Sequence, residues 1–184
     1  RDGETAEIAI QSALTGHLVF STLHTNNSAG AVTRLLEMGV EPYLAASSIE
    51  GVLAQRLVRV LCPECRPKEF PPLTYSDSGV PRGGSTPVGC DHCKYTGYYG
   101  RTGVYELLEM DEQIRDMVVE RRAMGDIEEY CMSKGMDTLI QGGLAKVQEG
   151  ITTVEEVTRV TREEEGQAIL MDEDLIRDAQ FVAT

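Results

Sequence analysis

The pattern of apolar and polar residues near the start of the chain predicts an amphipathic helix over 4–15. Apolar side chains recur there every three or four positions and would therefore share one helical face. These side chains are Ala6, Ile10, Ala13 and Leu14. Asp2 is the predicted N-cap and Gly16 the predicted end of the helix.

Residues 17–24 predict a buried strand, because their three apolar residues are consecutive rather than alternating. These are Leu18, Val19 and Phe20. Such a run is typical of a central parallel strand that is covered on both faces. The chain then becomes polar and enters a second predicted helix at about 28–38. The candidate caps of this helix are Asn26, Asn27 and Ser28. Polar residues that follow the carboxyl end of a strand are where α/β sheets bind ligands.

A third helix is predicted from Pro42 over about 43–61, again from apolar residues at helical spacing. Its apolar positions are Ile49, Val52, Leu53, Leu57, Val60 and Leu61. Arg56 falls close to this apolar face. Two interpretations are open: a side chain that extends its charge to solvent, or a charge directed at an anionic ligand or a neighbouring subunit.

Residues 66–89 predict a loop, because they contain five of the seven prolines. A strand is predicted over 101–110, followed by four helices. The helices are expected at about 111–122, 125–134, 137–148 and 153–164. Asp111 is the predicted cap of the first, and Thr152 or Thr153 caps the last. The acidic segment 166–184 is predicted to be a mobile tail.

Two Cys-x-x-Cys pairs are the strongest chemical signal in the sequence. Cys62 and Cys65 form one pair, Cys90 and Cys93 the other, and 24 residues separate the pairs. Four thiolates in this spacing predict a tetrahedral Zn²⁺ site, which is structural because no coordination position stays open. Disulfides or a thioredoxin-like redox pair are the alternatives.

Composition and charge restrict the function further. The formal net charge of -13 argues against a dedicated nucleic-acid binder, which needs clustered Lys and Arg. No apolar run has transmembrane length, and we expect no signal peptide. Cysteines in metal spacing suit a reducing cytoplasm. Because Arg1 opens a loop with no strand before it, we expect more of the sheet to lie upstream.

Several motifs, in the same order, resemble those of the ATPases of type II secretion and type IV pilus assembly. The resemblance covers about residues 1–162. The matching stretches are Arg1-Asp2-Gly3-Glu4-Thr5-Ala6, Thr15-Gly16-His17-Leu18-Val19, Ser21-Thr22-Leu23-His24-Thr25-Asn26, Ala54-Gln55-Arg56-Leu57-Val58-Arg59 with Cys62-Pro63 and Cys65, Tyr95-Thr96-Gly97-Tyr98 with Gly100-Arg101-Thr102-Gly103 and Tyr105-Glu106-Leu107-Leu108, and Glu149-Gly150-Ile151-Thr152-Thr153 with Glu155-Glu156-Val157.

This resemblance implies an α/β fold: the C-terminal half of a P-loop, RecA-like ATPase domain, with a zinc subdomain and a helical subdomain. The implied divisions are 1–61, 62–103 and 104–165, with the tail at 166–184. The family forms hexamers at the cytoplasmic face of the inner membrane. It uses ATP hydrolysis to assemble pilin or pseudopilin subunits, together with a membrane platform or cytoplasmic adaptor protein. Nucleic acid is not an expected partner.

The resemblance also implies roles for single residues. Arg1-Asp2 resembles the end of the Walker B segment, and 21–26 resembles the His box with His24 as the catalytic candidate. Thr22 and Arg56 are the further nucleotide-proximal candidates. The four cysteines correspond to the zinc subdomain, which retraction ATPases lack, so an assembly or secretion motor is favoured. From the residues alone, His24 could instead cap the turn at 26–28.

The sequence departs from a complete motor in one respect. It contains no G-x-x-x-x-G-K-S/T loop, whose backbone and Lys bind the phosphates of ATP and whose Ser or Thr binds Mg²⁺. We therefore expect ATP and Mg²⁺ to be cofactors of the full-length enzyme, and this chain alone to be inactive. The alternative is a zinc-stabilised interaction module that docks on an inner-membrane platform protein and performs no chemistry.

Overall fold

The computed structural model describes residues 3–76 and 79–162. In these ranges it contains seven helices: α1 (Gly3–Leu14), α2 (Ser28–Glu37), α3 (Pro42–Ser48), α4 (Glu112–Val119), α5 (Met124–Ser133), α6 (Leu139–Gln148) and α7 (Val154–Arg162). The strands are β1 (Gly51–Leu61), β2 (Thr74–Tyr75), β3 (Pro81–Arg82) and β4 (Tyr98–Glu109). The predicted cap Asp2, the nucleotide-proximal candidates Arg1 and Asp2, and the predicted tail lie outside the described residues.

The chain forms two compact units. One consists of Arg1–Gln55 and Tyr105–Leu139, the other of Arg56–Val104 and Ile140–Thr184. Each unit therefore combines two separate stretches of sequence. The domain divisions predicted from the sequence, 1–61, 62–103 and 104–165, are contiguous stretches and stay a prediction. Among the described helices, none combines the length and apolar character that a membrane span requires.

The first unit is built around α1 to α5. Its apolar core draws on every one of these helices and on the end of β4. The fully enclosed members include Ala29, Val32, Ala45, Leu108, Val118 and Ile127. Helix α3 packs on α4, and the guanidinium of Arg115 donates to the backbone oxygens of Ala46 and Ile49 near the end of α3.

Polar side chains fix where two of these helices begin. Asn27 caps α2, since its Oδ1 accepts a hydrogen bond of 2.8 Å from the backbone N–H of Gly30. Asp111 caps α4 in the same way, with a bond of 2.8 Å from the N–H of Ile114. The cap predicted at Asp111 is thus confirmed, and Asn27 is the actual cap among the three candidates for α2.

The predicted helix over 43–61 is wrong beyond Ser48. Helix α3 ends there, and residues 51–61 form the strand β1, which pairs with β4. The pairing is antiparallel, because Met110 N–H bonds to Glu50 O at one end and Cys62 N–H to Gly97 O at the other. The apolar spacing of this stretch fits a helix as well as a strand. These residues form a strand because they pair with β4, and the β-branched valines of β1 favour the extended conformation.

The predicted buried strand at 17–24 is also not observed. No described strand pairs with this segment, and it follows an irregular course between α1 and α2. Leu18 is 84% exposed and Phe20 88% exposed. A parallel strand is buried only when neighbouring strands satisfy its backbone and helices cover its faces, and the described residues supply neither.

The second unit contains the remaining helices and the loop between the cysteine pairs. That loop contains no helix in its described part, as its prolines predict, and β2 and β3 form a short antiparallel pair within it. Thr153 caps α7 by accepting a hydrogen bond of 3.2 Å from Glu156 N–H. Gly143 lets α6 approach α7 closely, since a Cβ there would lie 2.5 Å from Val157 Cγ1.

Candidate functional site

The two Cys-x-x-Cys pairs lie in tight turns. Cys62 follows the last residue of β1, and its backbone oxygen accepts a hydrogen bond of 2.9 Å from Arg66 N–H. In the second turn, Tyr95 N–H donates to Cys90 O at 2.9 Å. Lys94 and Tyr95 have φ values of 53° and 62°, in the left-handed region, so this turn closes tightly without glycine at either position.

The turns bring all four sulfurs to one point. Their ligand atoms lie within 4.8 Å of one another, and none of the four cysteines forms a disulfide. The Sγ–Sγ distances are 3.9 Å for Cys62–Cys90, 4.0 Å for Cys65–Cys93 and 3.8 Å for Cys90–Cys93. A tetrahedron with Zn–S bonds of about 2.3 Å has edges of about 3.8 Å. The four residues therefore fit a tetrahedral metal ion.

Electrostatics within the cluster favour a cation. Burial raises the pKa of the Cys93 thiol, but hydrogen bonds from the N–H groups of Cys90 and Gly97, each 3.2 Å, outweigh burial and hold that pKa at about 6. Burial raises the pKa of Cys65 to about 12. At neutral pH the Cys65 thiol therefore stays protonated beside the Cys93 thiolate unless a positive ion is present, which a divalent metal provides.

The predicted catalytic His24 and its neighbour Thr22 lie together on the exposed segment before α2. The side chain that caps α2 is that of Asn27, so this cap does not require His24. Thr25 Oγ1 donates to the backbone oxygen of Asn27 at 3.2 Å, which stabilises the turn between His24 and the helix. The arrangement leaves the imidazole accessible directly before the N-terminus of α2.

A buried carboxylate that sequence reasoning missed holds the start of α2. Glu106, on β4, is 2% exposed, and its Oε1 accepts bonds of 2.7 Å from Ser28 N–H and 2.5 Å from Ser28 Oγ. Its Oε2 accepts a bond of 3.2 Å from Leu139 N–H, the first residue of α6. One charged group thus satisfies donors at two helix N-termini. One sequence signal could have predicted this buried carboxylate: Glu106 occupies a position of the predicted strand whose side chain faces inward.

The predicted Arg56 belongs to the second unit, where it is half-buried. It lines a cavity of about 280 Å³ together with charged and apolar neighbours. The lining residues are Arg56, Leu57, Arg59, Arg101, Glu156, Arg159 and Val160. Of these, only Arg56 was predicted as a site residue. Most of the others belong to motifs that carry the family resemblance, but the resemblance did not assign a role to any of them.

Glu156 is the centre of this group. Its side chain is fully buried, and it pairs with Arg59 at 2.6 Å and Arg159 at 2.8 Å. Burial raises the pKa of Glu156, but the two guanidinium groups and the backbone N–H of Arg59 outweigh it and lower that pKa to about 2. Arg59 also lies 4.1 Å from the centroid of the Tyr98 ring, a cation–π contact.

Comparison with known proteins identifies the family. Residues 1–159 match the family described as "Type II/IV secretion system protein". The chain is 50% identical to type II secretion system protein HxcR of Pseudomonas aeruginosa over 163 residues, which are 89% of this chain and 32% of that protein. It is 44% identical to the type IV pilus assembly ATPase TfpB of Acinetobacter baylyi over 167 residues, covering 87% of this chain and 28% of TfpB. The chain thus spans about a third of the length of the curated relatives it matches.

Solved structures show the same fold. The pilus retraction motor PilT with bound ADP aligns with a TM-score of 0.60 at 22% identity, over 89% of this chain and 38% of PilT. The ATPase DotB of Legionella pneumophila aligns with a TM-score of 0.56 at 20% identity, over 87% of this chain and 36% of DotB. The predicted fold class, with its tetracysteine cluster, is confirmed. The chain belongs to the type II/IV secretion system protein family.

Proposed function

We propose that this chain is the C-terminal part of a hexameric ATPase motor that powers the assembly of pilin or pseudopilin subunits. The observation that carries the proposal is the tetracysteine cluster, set in a sequence that matches secretion and pilus assembly proteins at 44–50% identity. The motor works at the cytoplasmic face of the inner membrane and contacts a platform or adaptor protein there. Its cofactors are ATP and Mg²⁺ in the full-length enzyme.

His24 is the proposed catalytic residue. An exposed imidazole just before the N-terminus of α2 can hydrogen-bond the γ-phosphate of ATP or the attacking water. Loss of that bond on hydrolysis would then be transmitted to α2, which begins four residues later. Thr22 shares the segment and is proposed to lie near the nucleotide, as are Arg1 and Asp2. The exposed side chains of Leu18 and Phe20 suit a segment that the rest of the sheet covers in the whole protein.

Zn²⁺ is the proposed occupant of the cysteine cluster, with Cys62, Cys65, Cys90 and Cys93 as its ligands. The metal supplies structural cross-linking, because four protein ligands leave no position for substrate. The loop it closes has few apolar side chains to bury, so we expect ligation to provide much of the stability of that region. The N–H donors to Cys93 Sγ orient one ligand and stabilise its thiolate.

The second candidate function is a zinc-stabilised interaction module without chemistry. The absence of a G-x-x-x-x-G-K-S/T loop from the sequence favours it for this chain taken alone. The two functions are separated by comparing ATP hydrolysis by the full-length protein with that by residues 1–184. The motor proposal expects turnover only in the full-length protein. A full-length protein that neither binds nor hydrolyses ATP but captures its membrane partner would favour the module.

A further inference from the structure

The cavity of the second unit concentrates positive charge in an acidic protein. Four of its seven described lining residues are arginines, and Glu156 is the carboxylate among these seven. The chain as a whole has a formal net charge of -13. Screening limits the effect of distant charges to about 8 Å at physiological ionic strength, so the lining residues dominate the potential within the cavity. The cavity is thus locally suited to anions.

Glu156 holds two of these arginines in fixed positions. Arg59 donates to Glu156 Oε2 through Nε at 2.9 Å and Nη2 at 2.6 Å. Arg159 donates through Nε at 3.1 Å and Nη2 at 2.8 Å. Their side chains remain 43% and 45% exposed, so both arginines are held by Glu156 while part of each side chain stays accessible. A ligand would therefore meet donors that are already ordered, which lowers the entropic cost of binding.

Arg101 supplies a further donor group without an internal role. It is exposed, and within 3–76 and 79–162 its side chain forms no hydrogen bond or ion pair. Arg59 uses only Nε and Nη2 on Glu156, which leaves its Nη1 without an acceptor in the same ranges. These donors lie around one cavity instead of being distributed over a surface.

We propose that this cavity binds a phosphate group of a small molecule. Guanidinium groups match phosphate oxygens in charge and in the spacing of paired N–H donors. A protein partner is less well suited, because the described lining has just two apolar residues, Leu57 and Val160, and docking interfaces need an apolar centre. Free phosphate and the phosphates of a nucleotide share this chemistry. The site does not depend on the proposed motor function.

The test uses the whole 184-residue chain loaded with Zn²⁺ and follows the Nε–Hε NMR resonances of arginine. Inorganic phosphate is titrated at constant ionic strength against chloride. We expect saturable shifts for Arg59 and Arg101 and none for Arg122, an exposed arginine of the first unit. Arg101→Gln should weaken phosphate binding about tenfold, whereas Arg122→Gln should leave it unchanged. ADP is titrated separately, and tighter binding with the same shifts would identify a nucleotide as the source.

Three results would overturn the proposal. If the NMR shifts rose linearly with phosphate concentration and equalled those produced by chloride, phosphate would act only by nonspecific screening of charge. Unchanged affinity in Arg101→Gln would mean that phosphate binds elsewhere. A hexaglutamate peptide that saturates the same resonances when phosphate does not would assign the cavity to an acidic protein segment. Because Arg101→Gln removes no described side-chain hydrogen bond or ion pair, a folding defect is not expected to obscure these outcomes.

Discussion

The carboxylate of Glu106 accepts hydrogen bonds from both the backbone N–H and the hydroxyl of Ser28, at 2.7 and 2.5 Å. This contact fixes the first residue of α2 to β4 across 78 positions of sequence. The segment that carries His24 leads directly into that residue. Glu106 is therefore expected to position the proposed catalytic segment through the start of α2.

Glu106→Gln should destabilise the protein by about 1–3 kcal/mol. Glutamine has one acceptor oxygen, so the bonds from Ser28 and from Leu139 N–H cannot all be kept, and its NH₂ group would face a donor. The free energy of unfolding in urea measures the effect. Glu109→Gln, an exposed residue of the same strand, is the matched control and should change stability by less than about 0.5 kcal/mol. Equal effects of the two substitutions would contradict the role of Glu106.

Stability should depend on pH through Glu156. Its folded pKa is lowered to about 2, so between the unfolded value near 4.3 and pH 2 the unfolded state binds more protons. The contribution of Glu156 is therefore complete above about pH 4.3 and is lost as the pH falls toward 2. Urea unfolding between pH 5 and 2 should show a shallower decline for Glu156→Gln than for the wild type. The exposed neighbour Glu155→Gln should keep the wild-type slope, and a wild-type slope in Glu156→Gln would refute the assignment.

The glycine at the contact of α6 and α7 should not tolerate a methyl group. Gly143→Ala places Cβ 2.5 Å from Val157 Cγ1, and we expect a loss of about 1–3 kcal/mol. Gly125→Ala is the control, because it lies in α5 with nothing within 4 Å of the added Cβ. That substitution should raise stability by up to about 1 kcal/mol through helix propensity. Gain of stability in both variants would show that the helices are not this close.

Metal removal should affect the cysteine region selectively. Wild-type protein is expected to contain one Zn²⁺ per chain by elemental analysis, and Cys90→Ser should lose it. Limited proteolysis should then cleave within 62–103 while 3–61 is more resistant, because the latter does not depend on the metal. Cys131→Ser is the control; this buried cysteine lies in the core of the first unit and should leave zinc content unchanged. Identical proteolysis with and without chelator would contradict a structural role.

The sequence predicted well those features that depend on nearby residues. Helix starts at Asn27 and Asp111 follow from side chains that reach the backbone three positions away. The metal cluster follows from the spacing of two local turns. Each of these features is decided within a few residues, so a single sequence is sufficient to find it.

The features that failed depend on distant partners. Residues 51–61 carry apolar spacing that fits a helix, and only pairing with β4 makes them a strand. The predicted strand at 17–24 lacks neighbours among the described residues. The burial of Glu106 and Glu156 was not predicted, because Ser28 and Arg59, which help to enclose them, lie 78 and 97 positions away, although Arg159, a second partner of Glu156, is only three positions along α7. Burial of a charge is a property of the assembled fold and leaves little trace in local sequence.

The most direct test of the central claim is ATP turnover by the full-length protein with His24→Ala. We predict a fall in turnover of at least about 100-fold with nucleotide affinity nearly unchanged, because the imidazole acts on the reacting phosphate or water. His17→Ala is the matched control, because the His17 ring contacts Thr15 and Ser12 near the end of α1; this substitution should leave turnover intact. Wild-type turnover in His24→Ala would contradict the proposed role of this residue.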